Sequence, residues 1–107
     1  MNDRTIKIRK LNDLVRTTFV GCRVMITQGV QSLDDVAFVL DEVRRYDSFS
    51  KDNDPYGEHD FGSFKHNGET IFWKIDYYDC ALEAGSEDPA NPEVTTRVLT
   101  IMLACEY

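Results

Sequence analysis

The sequence predicts an α+β domain, a mainly antiparallel sheet of about four strands with two helices packed on one face, in the order α-β-α-β-β-β. Three observations carry this. Residues 3–16 and 32–45 repeat apolar side chains at the i, i+3, i+4, i+7 spacing of a helix with one buried stripe. Asn67-Gly68 lies between two aromatic-rich runs, and both central positions of a two-residue hairpin turn need positive φ. Residues 94–104 are β-branched and apolar on both faces, as a strand in the middle of a sheet requires.

The elements follow in order. Asn2 or Asp3 caps a first helix with Ile8, Leu11 and Val15 on one stripe and Leu14 beside it, while Arg4, Lys7, Arg9 and Lys10 mostly face water. β-branched residues then accumulate, and residues 19–28 read as a strand, Val24 and Ile26 on one face and Arg23, Met25 and Thr27 on the other, closed by Gly29. Ser32 opens the second helix, because S-L-D-D offers a capping hydroxyl and an acidic answer in a variant of the capping box. Val36, Val39, Leu40 and Val43 form its buried face, with Asp41, Glu42, Arg44 and Arg45 outward. Residues 47–57 are a polar loop broken by Pro55 and Gly57. A two-residue turn at Asn67-Gly68 sets the hairpin register. It pairs His66 with Glu69, Phe64 with Ile71, Gly62 with Trp73, Asp60 with Ile75 and Glu58 with Tyr77 on one side. Ser63 with Phe72, Phe61 with Lys74, and His59 with Asp76 lie on the other. Gly62 opposite Trp73 leaves room for the indole. Residues 84–92 are a turn-rich acidic connection to the last strand.

A chain of 107 residues builds one core, so residues 1–107 form a single domain. No stretch approaches the roughly 18 to 20 apolar residues of a membrane span, and MNDRTIKIRK lacks the apolar region of a secretory signal. The expectation is a cytoplasmic protein with no membrane partner. Cys22, Cys80 and Cys105 are odd in number, far apart and without CxxC spacing, which fits reduced thiols. The net charge is −7, and residues 1–16 carry +3 of charge on a body carrying −10. An acidic body repels phosphates, so no direct nucleic-acid partner is expected.

The words ITQGV, DNDPYGEHDFG, FWKIDYYD, GSEDPA and TTRVLTIMLACEY, in this order and separation, resemble an uncharacterised family of small bacterial proteins. That family is chiefly alphaproteobacterial, often encoded on plasmids and integrating elements, and known only as a domain of unknown function. The likeness covers most of the chain from Leu11 to Tyr107. It implies a family identity and a mobile-element setting, with no activity, catalytic residue or cofactor to carry over.

The stretch from Asp52 to Asp79 concentrates aromatics, acids and both histidines. Glu58, His59 and Asp60 with Asp76 are the catalytic candidates, since a carboxylate across a hairpin can orient an imidazole for general-base work. In a regular strand, however, Glu58 and Asp60 point away from His59. No metal is expected: His59 and His66 fall on opposite strand faces, and the D-N-D run at residue 52 lacks the later ligands of a calcium loop. No phosphate loop or nucleophile elbow is present, and no cofactor is expected. The preferred expectation is a non-catalytic acidic module. It would engage a protein partner with a basic surface through Asp52, Asp54, Tyr56, Glu58, Tyr77, Tyr78 and Asp79, its target a nucleic-acid-handling protein of host defence or plasmid maintenance. The alternative is a small hydrolase or transferase built on His59 and Asp76 with Glu58 or Asp60.

Overall fold

Asn2 does cap the first helix, accepting the Thr5 N–H at 2.8 Å and so satisfying one of the N–H groups that a helix start leaves open. The computed structural model describes residues 2–107. Helix α1 spans Asp3–Thr18 and stops at Phe19, whose φ of 59° turns the chain out of the helix. Its buried side chains are Ile8, Asn12, Val15 and Arg16, so the inner stripe is half polar, and Leu14 is exposed.

Strand β1 is shorter than the sequence predicts. Phe19 and Gly21 both take positive φ, which keeps the chain out of the extended region until Arg23, and β1 spans Arg23–Ile26. A short helix α2 (Gln28–Gln31) follows at once, with Gly29 inside it rather than closing the strand. A Cβ at Gly29 would lie 2.7 Å from both Glu106 Oε1 and the Leu103 side chain, so glycine is needed for close approach, not for a turn.

The S-L-D-D capping box is also corrected. Ser32 closes α2, donating its hydroxyl to the Gln28 carbonyl at 2.8 Å. Helix α3 spans Val36–Arg44 after Asp35. Asp35 makes no capping bond, because its carboxylate is taken by His66 Nε2 at 2.7 Å. A tertiary partner outcompetes the local cap.

Three further strands, β2 (Phe61–His66), β3 (Glu69–Tyr78) and β4 (Thr96–Leu103), complete a four-stranded sheet in the order β1-β4-β3-β2. β1 runs parallel to β4 and the other two pairings are antiparallel, so the sheet is mixed and mainly antiparallel. The hairpin register is the predicted one from His66–Glu69 through Gly62–Trp73 to Phe61–Lys74. β4 lies between β1 and β3, as its two-sided apolar pattern requires, with Leu99 and Ile101 buried on one face and Val98 and Met102 on the other. Val15 of α1, Val30 of α2, and Val39 and Val43 of α3 meet Ile71, Trp73, Ile75, Leu99 and Ile101 in one core. All the helices therefore pack on one face of the sheet.

After β4 a 3-10 turn, Ala104–Glu106, is tied back onto α2. The Glu106 carboxylate accepts from Thr27 Oγ1 at 2.6 Å, from the Leu103 N–H at 2.8 Å and from the Gly29 N–H at 3.1 Å. The Thr27 bond first, then these backbone donors, hold its pKa below the ordinary carboxylate value.

Two outcomes follow from this packing. A Cβ at Gly62 would stand 2.5 Å from Trp73 Nε1 and 2.7 Å from the Tyr46 ring. Gly62→Ala, which in an open strand would gain about 0.5–1 kcal/mol, is expected instead to lose about 1–3 kcal/mol in urea unfolding. Glu106 has a depressed pKa, so its contribution is full above the ordinary carboxyl range and is lost as pH falls through its lowered folded value. Glu106→Gln should lower Tm at neutral pH and leave it unchanged in acid, read by circular dichroism melts.

Candidate functional site

The catalytic candidates depend on where β2 begins, and the strand ends one residue short of them. Ile75 N–H still donates to the Asp60 carbonyl at 2.9 Å, but His59 has a φ of 55° and leaves the ladder. The cause is Asp54, a buried residue whose two carboxylate oxygens accept the His59 backbone N–H at 3.2 Å each. The expected backbone pairings of Glu58 with Tyr77 and of His59 with Asp76 are therefore not made.

The imidazole turns inward, toward α1. Its Nδ1 lies 2.8 Å from Asp13 Oδ1, its Nε2 lies 3.7 Å from Asp54 Oδ2, and its ring stacks on Phe49 at 3.7 Å and 3°. Asp76 lies on the opposite sheet face, accepting from Lys74 Nζ at 2.6 Å, and this bond chiefly raises the Lys74 pKa. The His59–Asp76 pair is replaced by an Asp13–His59–Asp54 group in which both ring nitrogens face carboxylates.

Glu58 joins a second internal group. Tyr77 donates its hydroxyl to Glu58 Oε1 at 2.8 Å, so the two residues meet through side chains although their backbones do not pair. Asn12, fully buried on α1, donates to the Tyr77 oxygen at 2.7 Å and to the Glu58 carbonyl at 3.0 Å, and accepts from Arg97 Nε at 2.7 Å. Arg97 also donates to the Pro89 carbonyl and lies over the Tyr77 ring, 5.1 Å from its centroid. Burial pushes the Tyr77 hydroxyl well above its ordinary value, with the Asn12 bond opposing and Glu58 adding to the rise. Burial likewise lowers Arg97, against the favourable fields of Tyr77 and Glu58. Desolvation first, then repulsion from Glu58, raises the Asp60 carboxyl.

Arg16 completes the polar frame. Its Nη1 donates to the carbonyls of Val43, Arg44 and Tyr46 at 3.2, 3.2 and 2.9 Å, and its Nη2 to Asp13 at 3.1 Å. A cation is thereby set at the negative end of α3, over the rings of Phe49 and Trp73. Asn12 and Arg16 were missed as functional positions by the sequence pattern. The available signal was spacing: they follow Ile8 at i+4 and i+8, on the inner stripe.

The expected binding residues divide in the same way. Asp54, Glu58 and Tyr77 are held inside these groups. Asp52 is exposed, Tyr56 is 79% exposed, and Tyr78 and Asp79 are half-buried at the end of β3. Tyr78 bridges to Gly85, which folds residues 79–94 into an open cleft of about 310 Å³ lined by Asp79, Cys80, Gly85, Glu87, Glu93 and Val94. A second cleft of about 270 Å³ is lined by residues that include Asp34, Asp35, His66 and Glu69. Neither His59 nor Asp76 lines either cleft. Among the described residues no group of three His, Cys, Asp or Glu side chains could hold a metal ion, and no helix is long and apolar enough to cross a membrane. The three cysteines are free thiols, and burial raises the pKa of Cys22.

Residues 26–106 match the model of the family described as a protein of unknown function, DUF3768, and the chain belongs to that family. No curated protein and no solved structure matches it.

Tyr77→Phe removes the hydroxyl shared by Asn12 and Glu58 and leaves a buried donor without that partner. A loss of about 1–3 kcal/mol in denaturant unfolding is expected. Asp60 has the opposite sign. A carboxyl with a raised folded pKa opposes folding above that pKa, and the penalty fades as pH falls toward its unfolded value. Asp60→Asn should raise stability at neutral pH, and the gain should vanish in acid, as measured by urea unfolding across pH.

Proposed function

We propose that the protein is a non-catalytic binding module that engages a basic protein surface through the acidic cleft at the end of β3. Tyr78 and the exposed Asp52 and Tyr56 add contacts around it. The observation that carries this reading is the cleft's charge: Asp79, Glu87 and Glu93 line it and no lysine or arginine does. A cationic side chain entering the cleft meets carboxylates not already neutralised by cleft cations, and such a field both steers encounter and selects the partner.

The groups inside the domain support the same choice. An imidazole that is to act as a general base needs access to a substrate proton, whereas His59 is stacked on Phe49 between two carboxylates. Its supposed partner Asp76 is on the other face, paired with Lys74. Glu58 is committed to Tyr77. The mobile-element setting implied by the sequence resemblance suits a target that handles nucleic acid, whose basic face the carboxylates would occupy in place of phosphates.

The test is affinity capture from a lysate of the host, comparing the native chain with an Asp79→Asn, Glu87→Gln, Glu93→Gln variant. A basic partner is expected on the native chain, to be released as salt rises to about 1 M, where the screening length falls to about 3 Å. The neutralised variant should not retain it, though its melting temperature stays near native. Equal capture by both proteins would contradict the assignment.

A further inference from the structure

The sheet face opposite the helices carries a mixed apolar and cationic surface. By strand alternation and register, one row across it runs Phe61, Lys74, Thr100 and Met25, and the next runs Ser63, Phe72 and Met102. Tyr107 folds back over these rows, its ring 5.7 Å from Phe72 and 6.5 Å from Phe61, with Phe61 and Phe72 themselves 5.2 Å apart. Met25 is 58% exposed and Tyr107 77% exposed. Aromatic residues, methionine and arginine are the types enriched at protein interfaces.

The charge of this face is opposite to that of the chain. Arg23 on β1 and Lys65 on β2 are exposed on the two outer strands and have no ion-pair partner among the described residues. Of the other side chains these strands turn to this face, the two charged ones, Lys74 and Asp76, neutralise each other at 2.6 Å. The uncompensated charge here is thus positive, on a chain of net charge −7.

We propose that this face docks an acidic amphipathic helix of a partner protein. Three strand spacings separate the outer strands by about 14 Å, and a helix with its side chains is about 10–12 Å across. A helix laid along the strands would cover Phe61, Phe72 and Met25 with its apolar stripe and bring flanking carboxylates to Arg23 on one side and Lys65 on the other. Such a layer would also cover the apolar side chains that this face leaves exposed, Met25 and Tyr107, and the half-buried Phe61 and Phe72. A second copy of the same face would oppose like charges, and two unpaired cations neutralise too few phosphates for firm nucleic-acid binding. This surface goes beyond the acidic cleft and does not depend on it.

The experiment uses the full chain and a fluorescein-labelled peptide of about 18 residues, five helical turns, with a leucine stripe flanked by glutamates. A sister peptide carries lysines in place of the glutamates, and a labelled oligothymidylate of about 12 nucleotides serves as the nucleic-acid probe. Anisotropy should show the glutamate peptide binding at least about tenfold tighter than the lysine peptide. Met25→Asp should abolish that binding, and Arg23→Glu with Lys65→Glu should reverse the preference. All three positions are exposed, and unchanged circular dichroism melts would show that the fold is kept. The cleft variant Asp79→Asn, Glu87→Gln, Glu93→Gln should bind the peptide as the native chain does, so failure at one surface is separable from failure at the other. Equal affinity for both peptides, indifference to Met25→Asp, or no peptide binding at all would overturn the proposal. So would tighter binding of the oligothymidylate, or a sedimenting dimer that Met25→Asp dissociates.

Discussion

Two polar side chains one turn apart on α1, Asn12 and Arg16, hold the domain in register. A buried guanidinium costs several kcal/mol in desolvation unless its donors are used. Here three carbonyls at the end of α3, one carboxylate and two aromatic faces offset that cost. Asn12 acts one turn earlier on the same face, joining α1 to Glu58 in the loop, Tyr77 on β3 and Arg97 on β4. A purely apolar stripe would pack α1 on the sheet at many rotations. This pair admits one, and it draws the 47–60 loop into place with it. The arrangement is not free of cost: Arg16 Nε and the Trp73 indole N–H have no hydrogen-bond partner among the described residues, and Gly62 lies against that indole so that β2 can close over it.

What could be read from the sequence was what is decided locally. The Asn67-Gly68 turn needs only its own two residues to adopt positive φ, and once it forms, the period-two alternation fixes which side chains face the core. β4 is legible because apolar side chains lie on both of its faces, Leu99 and Ile101 on one and Val98 and Met102 on the other. The errors came where a distant group captured a local one. Asp35 was available as a helix cap but is held by His66, 31 residues away. Strand alternation pairs His59 with Asp76 across a ladder that Asp54 interrupts, and its partner in the fold, Asp13, is 46 residues away. No sequence spacing encodes such contacts, since they follow from how α1 and α3 dock on the sheet. The polar positions on the inner stripe of α1 were the one trace of that docking.

This same polar frame decides what the molecule offers to others. Of the groups that look most like a reaction centre, Glu58 and His59 are used in bonding the loop to β3 and α1, and Asp76 is paired with Lys74 on the other face. Among the surfaces left outside, two are of opposite sign: the acidic cleft formed by residues 79–94 and the aromatic, cationic face of the sheet. The DUF3768 match, residues 26–106, contains the acidic cleft and the β2–β4 part of the sheet face, while Arg23, Met25 and Tyr107 lie outside it. These surfaces are the ones on which the proposed binding role rests.

Native-state hydrogen exchange on the full chain carrying Asn12→Ala tests the dependence on α1 most directly. Amides of the 54–60 loop, including His59, which donates to Asp54, should lose protection by more than the paired core of β3 and β4. Uniform loss across the sheet, or a loop that exchanges as slowly as in the native chain, would contradict the role given to Asn12.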